Sequence, residues 1–151
     1  MFNREKAVEY ALKWAYEYNP KYYNFTLLGG DCTNFVSQCL NAGGFKMNYS
    51  VYGWYYNSLN DRAPAWTGVN EFWDFAIKNT GNGVKIKSCD ILEVEIADII
   101  QLYNGYRYYH NLIITSIDNE ILVTGHDRNV KNIPLRFFNF ESFRCGKILV
   151  D

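Results

Sequence analysis

The sequence predicts an α+β fold, N-terminal helices packed on a C-terminal antiparallel β-sheet. Three observations predict it. Apolar residues recur at helical spacing in three segments before residue 80; from Val84 onward the pattern changes to short runs rich in β-branched and aromatic residues; and turn residues such as Asp118-Asn119-Glu120 separate those runs at hairpin intervals. The chain has 151 residues and no linker, repeat or low-complexity stretch, so residues 1–151 are read as one domain with one substantial core.

The first helix is predicted to start at a cap on Asn3 and run to about Tyr18. Ala7, Val8, Ala11, Leu12, Trp14 and Ala15 form its apolar stripe, and Pro20 prevents continuation. The second is the stretch on which the functional reading turns. Gly29-Gly30 supplies a tight turn, Asp31 is a good N-cap, and Phe35, Val36, Cys39 and Leu40 follow at i+3, i+4, i+7 and i+8 from Cys32, with Gly43-Gly44 as the stop. Cys32 therefore heads a helix, where the dipole and the unpaired first-turn N–H groups favour a thiolate and can hold an oxyanion. Asp31 opposes this slightly through its charge. Residues 45–66 show no period and read as a long ordered loop. Trp54 and Tyr55, with Tyr56 beside them, are its candidates for substrate contact. Thr67 is the expected cap of a third helix bearing Val69, Phe72, Trp73, Ala76 and Ile77.

The strands are expected over 84–87, 94–103, 112–117, 121–124 and 147–150. In the hairpin turning at 118–120, His110 and His126 fall at the same end of neighbouring strands. A thiol nucleophile needs a base that can also act as an acid, and imidazole does both near neutral pH. Triad logic makes Cys32 the nucleophile, His110 the general base and acid, and His126 the group that holds the His110 ring; Asp127 competes with His126 for that third place. Asp98, alone in a strand, is read as a structural carboxylate accepting backbone hydrogen bonds at a turn.

Composition narrows the class further. A net charge of −1 leaves no electrostatic footprint for nucleic acid or an anionic membrane, and no apolar run approaches a bilayer span. No export signal opens the chain as given, so the expectation is a cytoplasmic location or release by a non-classical route. The cysteines at 32, 39, 89 and 145 lack metal-ligand spacing, and 32 and 39 would lie about 10 Å apart along one helix, beyond a disulfide. All four are read as reduced, with 39, 89 and 145 as packing residues. No metal and no organic cofactor is expected.

Gly29-Gly30-Asp31-Cys32-Thr33-Asn34-Phe35-Val36-Ser37-Gln38 resembles the signature of the putative amidase domain family, a bacterial papain-like group related to NlpC-type peptidases and CHAP amidases. Asn19-Pro20, Ala42-Gly43-Gly44, Trp54-Tyr55-Tyr56, Trp66, Asp98-Ile99-Ile100-Gln101 and the two histidines follow in that family's order. Two positions depart from it: Ala97 stands where glycine usually precedes the aspartate, and Asn111 where serine usually follows the histidine. The resemblance implies a papain-like fold and a cysteine hydrolase with Cys, His and a second His or another polar residue in that order. Its substrate would be an amide in a small peptide or peptidoglycan fragment. A non-hydrolytic peptide- or glycan-binding module on the same fold is the rival expectation, and acyl transfer to an amine the variant within the enzyme class.

Overall fold

The computed structural model describes residues 1–150. Among them the helices are α1 (Arg4–Trp14), α2 (Cys32–Ala42), α3 (Pro64–Thr67) and α4 (Val69–Lys78). A small hairpin of β1 (Tyr56–Ser58) and β2 (Asp61–Arg62) precedes α3. The main sheet comprises β3 (Ile86–Cys89), β4 (Ile99–Tyr103), β5 (Tyr108–Asp118), β6 (Glu120–Gly125), β7 (Val130–Pro134) and β8 (Ser142–Ile148). It is antiparallel throughout, in the order β3-β8-β4-β5-β6-β7. The α+β layout of helices first and sheet second is the one the sequence predicts.

Asn3 caps α1 as expected, its side chain accepting from the Lys6 N–H at 3.0 Å, but the helix stops at Trp14, short of Tyr18. Helix α2 is buried from Cys32 through Leu40, enclosed by α1, α3 and β5. Its apolar residues Phe35, Val36 and Leu40 join Ala7, Ala11, Ile99 and Ile113 in the main core. Its polar residues are buried too, and each has a partner, as buried polar groups must. Ser37 Oγ donates to the Trp66 carbonyl at 2.9 Å and accepts from Trp54 Nε1 at 3.0 Å, while Trp66 Nε1 donates to Asn34 Oδ1 at 2.9 Å. These bonds pin residues 45–67 onto α2, so the expected loop is an ordered wall of the core carrying a hairpin and a helical turn. The third helix is preceded by α3 and begins after Gly68, not at a Thr67 cap. Strand β7 lies where no strand is expected from the sequence: its burial pattern carries little apolar alternation.

The sheet is buried on both faces. Ile99 and Ile113 belong to the helix-side core; Ile100, Leu102, Leu112, Ile114, Val123 and Cys145 form a second cluster covered by Ile91, Leu135, Phe138 and Phe140. Asp98 ties the two halves of the molecule together at the start of β4. Its Oδ1 accepts from Arg4 Nη1 at 2.7 Å and from the Ile148 N–H at 2.9 Å, and Oδ2 accepts from the Glu95 N–H at 2.8 Å. The preceding residue, Ala97, sits at φ +74°, a backbone conformation that glycine adopts more readily than alanine.

Replacing Asp98 with alanine takes from Arg4, only 15 % exposed, its buried carboxylate partner, leaving it the Ile96 and Ile148 carbonyls and the half-exposed Glu95, and frees two backbone N–H groups. Urea unfolding is expected to show a loss of about 3–5 kcal/mol, against less than about 1 kcal/mol for Glu120→Ala, whose ion pair with Arg136 is on the surface.

Candidate active site

The turn before α2 is built on left-handed glycines, Gly29 at φ +86° and Gly30 at φ +98°. At Gly30 a Cβ would also come within 2.8 Å of Asp127 Oδ2, so that carboxyl group would have to move. The chain then enters Asp31, fully buried, and Cys32, the first residue of α2.

Asp31 does not cap the helix with its side chain. Its Oδ1 accepts from the Phe25 N–H at 2.8 Å and from Asn34 Nδ2 at 2.9 Å, and its Oδ2 meets His126 Nδ1 at 2.7 Å. The other nitrogen of that ring, Nε2, lies 2.9 Å from the Trp14 carbonyl oxygen. Both ring nitrogens are therefore engaged by oxygen atoms, one of a side chain and one of the backbone. The imidazole is sandwiched between Phe35, with ring centroids 4.1 Å apart, and Tyr18, at 4.6 Å. His126 therefore does not steady the His110 ring. It clamps the end of α1 to the start of α2.

Asp127 stands beside it. Its Oδ1 accepts the Asp31 N–H at 2.8 Å, and burial raises its carboxyl above the ordinary range. It also lines a cleft of about 540 Å³ with His110, Arg128, Tyr109, Phe138 and Asn139. His110 is 8 % exposed and packs against Phe138 at a centroid distance of 5.8 Å. Burial lowers its pKa from the usual 6.5 to about 4, which makes it a neutral imidazole at physiological pH.

Cys32 is 6 % exposed, and burial pushes its thiol up to about 11. Hydrogen bonds from the Asn111 and Thr33 backbone amides pull the other way, and the negative charge of Asp127 adds to the rise. The expectation of a depressed thiol is thus corrected: a helix start is worth less than about 1 kcal/mol to a neighbouring charge, well under the cost of removing a thiolate from water. No hydrogen bond joins Cys32 and His110. The sulfur's side-chain neighbour is Thr33 Oγ1 at 3.8 Å. What approaches it from β5 is the N–H of Asn111, the residue bonded to His110. The Asn111 side chain is itself buried with neither amide atom paired.

The two aromatics expected to touch substrate have different surroundings. Trp54 is fully buried, its indole bonded to Ser37 and its ring 4.7 Å from that of Trp66, which makes it a core residue. Tyr55 is half-exposed, its hydroxyl donating to Asp61 at 3.2 Å and its ring beside Tyr49. Neither lines the cleft that holds His110. Among the described residues, no group of three or more His, Cys, Asp or Glu side chains is placed to hold a metal ion, and no helix is long and apolar enough to cross a membrane.

Two outcomes follow from these environments. His126→Phe leaves the Asp31 carboxylate buried without its ring partner, and unfolding measurements should show a loss of about 3 kcal/mol. In a double-mutant cycle with Asp31→Asn, the two losses should be strongly non-additive. For His110, the unfolded chain takes up a proton below pH 6.5 while the folded one does not until about pH 4. Stability is therefore lost as pH falls through that window. Between pH 7 and 4.5 the native protein should lose on the order of 2 kcal/mol more than a His110→Phe variant.

The Putative amidase domain model matches residues 1–145. Two curated relatives, both from Bacillus subtilis (strain 168), are similar to nearly all of the chain. Uncharacterized protein YjcM is 30% identical over 141 residues, 87% of this chain and 32% of that protein. Uncharacterized protein YhbB is 32% identical over 150 residues, 93% of this chain and 45% of that protein. The chain thus spans less than half the length of either relative. No solved structure matches it significantly. A buried cysteine opening a helix, facing a strand that carries a neutral histidine, is joined to a family match over almost every residue, and the chain belongs to the Putative amidase domain family.

Proposed function

We propose that the protein is a cysteine-dependent amide hydrolase in which Cys32 is the nucleophile and His110 the general base. The observation that carries this reading is the position of the Cys32 sulfur. It sits at the start of α2, where the backbone amides of Thr33 and Asn111 favour its thiolate form, and His110 is the residue before Asn111. The register pairs His110 with Leu102, on the face of the second cluster, so this reading requires the ring to turn round the start of β5 to the sulfur's side.

Both groups start neutral, so no thiolate is stored. The imidazole takes the thiol proton as sulfur attacks the amide carbonyl, an S–C bond forms, and the carbonyl electrons move onto oxygen, where amides at the helix start can receive the charge. Collapse expels the amine, which takes the proton from the imidazolium and leaves a thioester. Water, deprotonated by His110, then adds to the thioester carbonyl; the S–C bond breaks, a carboxylic acid is released, and the departing sulfur takes the proton back from the imidazolium. Asp127 suits the third place better than His126: it lines the same cleft as His110, whereas both nitrogens of His126 are committed elsewhere. The cleft's apolar and aromatic lining suits an amide in a small peptide, and the family resemblance adds cell-wall peptides as the class to try first.

One observation favours the second reading, a peptide-binding module without turnover: the thiol is raised to about 11 and has no imidazole bonded to it. Incubation with muropeptides and small peptide amides, read by mass spectrometry, separates the two. The hydrolase reading expects product, a transient acyl adduct on Cys32, and a drop of at least about 100-fold in Cys32→Ala and His110→Ala. The acid limb of its kcat/KM profile should fall near pH 4, where His110 gains its proton. Turnover undiminished in Cys32→Ala would end it. Peptide binding without turnover, equal in the native protein and Cys32→Ala, would establish the module. An added amine appearing in the product would identify acyl transfer.

A further inference from the structure

Cys89 closes β3 and Cys145 lies in β8, and the register sets them directly opposite each other: Ile86 faces Ile148, Lys87 faces Lys147, Ser88 faces Gly146 and Cys89 faces Cys145. Opposed residues of an antiparallel pair share a face, and both thiols accordingly belong to the same apolar cluster, with Ile100 and Leu102. The Leu149 N–H donates to the Lys85 carbonyl at 2.9 Å, which makes 85 and 149 a hydrogen-bonded pair. Counting along the ladder, 89 and 145 are a hydrogen-bonded pair as well. Such pairs hold their Cα atoms about 5.5 Å apart, inside the span of a disulfide, while their Cβ atoms stand at about 5.5 Å and must close by about 1 Å to be bridged. The other two cysteines are elsewhere, at 32 and 39 on α2.

The two thiols also differ in access. Cys145 is 2 % exposed, while Cys89 is half-buried at the end of the sheet's edge strand, next to Asp90 at the start of the turn 91–93. An edge strand is bonded on one side only, so its last residue can shift by the small amount a bridge demands.

From this juxtaposition we propose that Cys89 and Cys145 form a reversible cross-strand disulfide, with a low-molecular-weight disulfide as the oxidant. The Cys89 thiolate attacks one sulfur of that compound, forming a mixed disulfide and releasing one small thiol. The Cys145 thiolate then attacks the Cys89 sulfur, forming the protein bridge and releasing the second. The two protein hydrogens leave on the two small thiols, and a dithiol reductant reverses both steps. The bridge closes a loop from 89 to 145 that contains β4 to β7, and with them His110 and Asp127. It therefore ties down the segment bearing the cleft while leaving the cleft's own side chains unmodified. The proposal is independent of the hydrolase reading.

The test uses the full chain equilibrated with excess oxidised glutathione, then alkylated and mapped by mass spectrometry without reduction. The expected result is an intramolecular species lighter by two hydrogens, with the peptides containing 89 and 145 linked, and a higher Tm that dithiothreitol returns to the reduced value. Cys89→Ala should show neither the linked peptides nor the Tm increase, and Cys32→Ala/Cys39→Ala should show both. Glutathione remaining as single adducts, a link to Cys32 or Cys39, or covalent dimers in place of the internal link would each overturn the proposal. All three of those outcomes are read on the native chain, whatever the folding of the variants.

Discussion

One buried carboxylate decides where the second helix begins. Asp31 holds the Phe25 N–H, the Asn34 side chain and the His126 ring together, and the ring in turn holds the last carbonyl of α1. A buried carboxyl in that position is tolerable because both of its oxygens are engaged. Loop, helix end, helix start and the end of β6 are thereby joined at one point. The Cys32 sulfur, one residue on, inherits a position it has no freedom to leave.

Rigidity of this kind comes with dryness, and dryness sets the electrostatics of the site. The cysteine at a helix start and the histidine on the neighbouring strand are both pushed toward their neutral forms, the thiol upward and the imidazole downward, by the same cause. The helix end and two amide hydrogen bonds act in the opposite direction and lose, because each contributes less than the desolvation of a whole charge. In the proposed reaction charge separates only during attack, as the proton passes from sulfur to nitrogen. The nearby Asp127 reinforces the arrangement by disfavouring a standing thiolate.

The sheet has an analogous point of attachment at its other end. Asp98 binds Arg4 from α1, the Glu95 N–H before β4 and the Ile148 N–H at the end of β8. With Asp31 it brackets the helical layer against the sheet, one carboxylate at each end of the interface. The tryptophans at 54 and 66 complete the enclosure by bonding to the polar face of α2, so even residues that look suited to a binding groove are consumed in packing.

Local pattern determined a good deal. The α+β class, the cap at Asn3, the glycine turn before Cys32, the strand at β4 and the structural duty of Asp98 all follow from periods of 3.6 and 2, from turn chemistry and from the cost of an isolated buried charge. Pairings between distant residues are different, because spacing along the chain carries no record of them. Only the fold could decide that His126 reaches back across 95 positions to Asp31 instead of stopping at His110, that Trp54 turns inward to Ser37, or that Cys89 lies opposite Cys145. The thiol's elevation belongs to the same class: a helix start is visible in the residues, but the surrounding layers that exclude water exist only once the chain has closed over them.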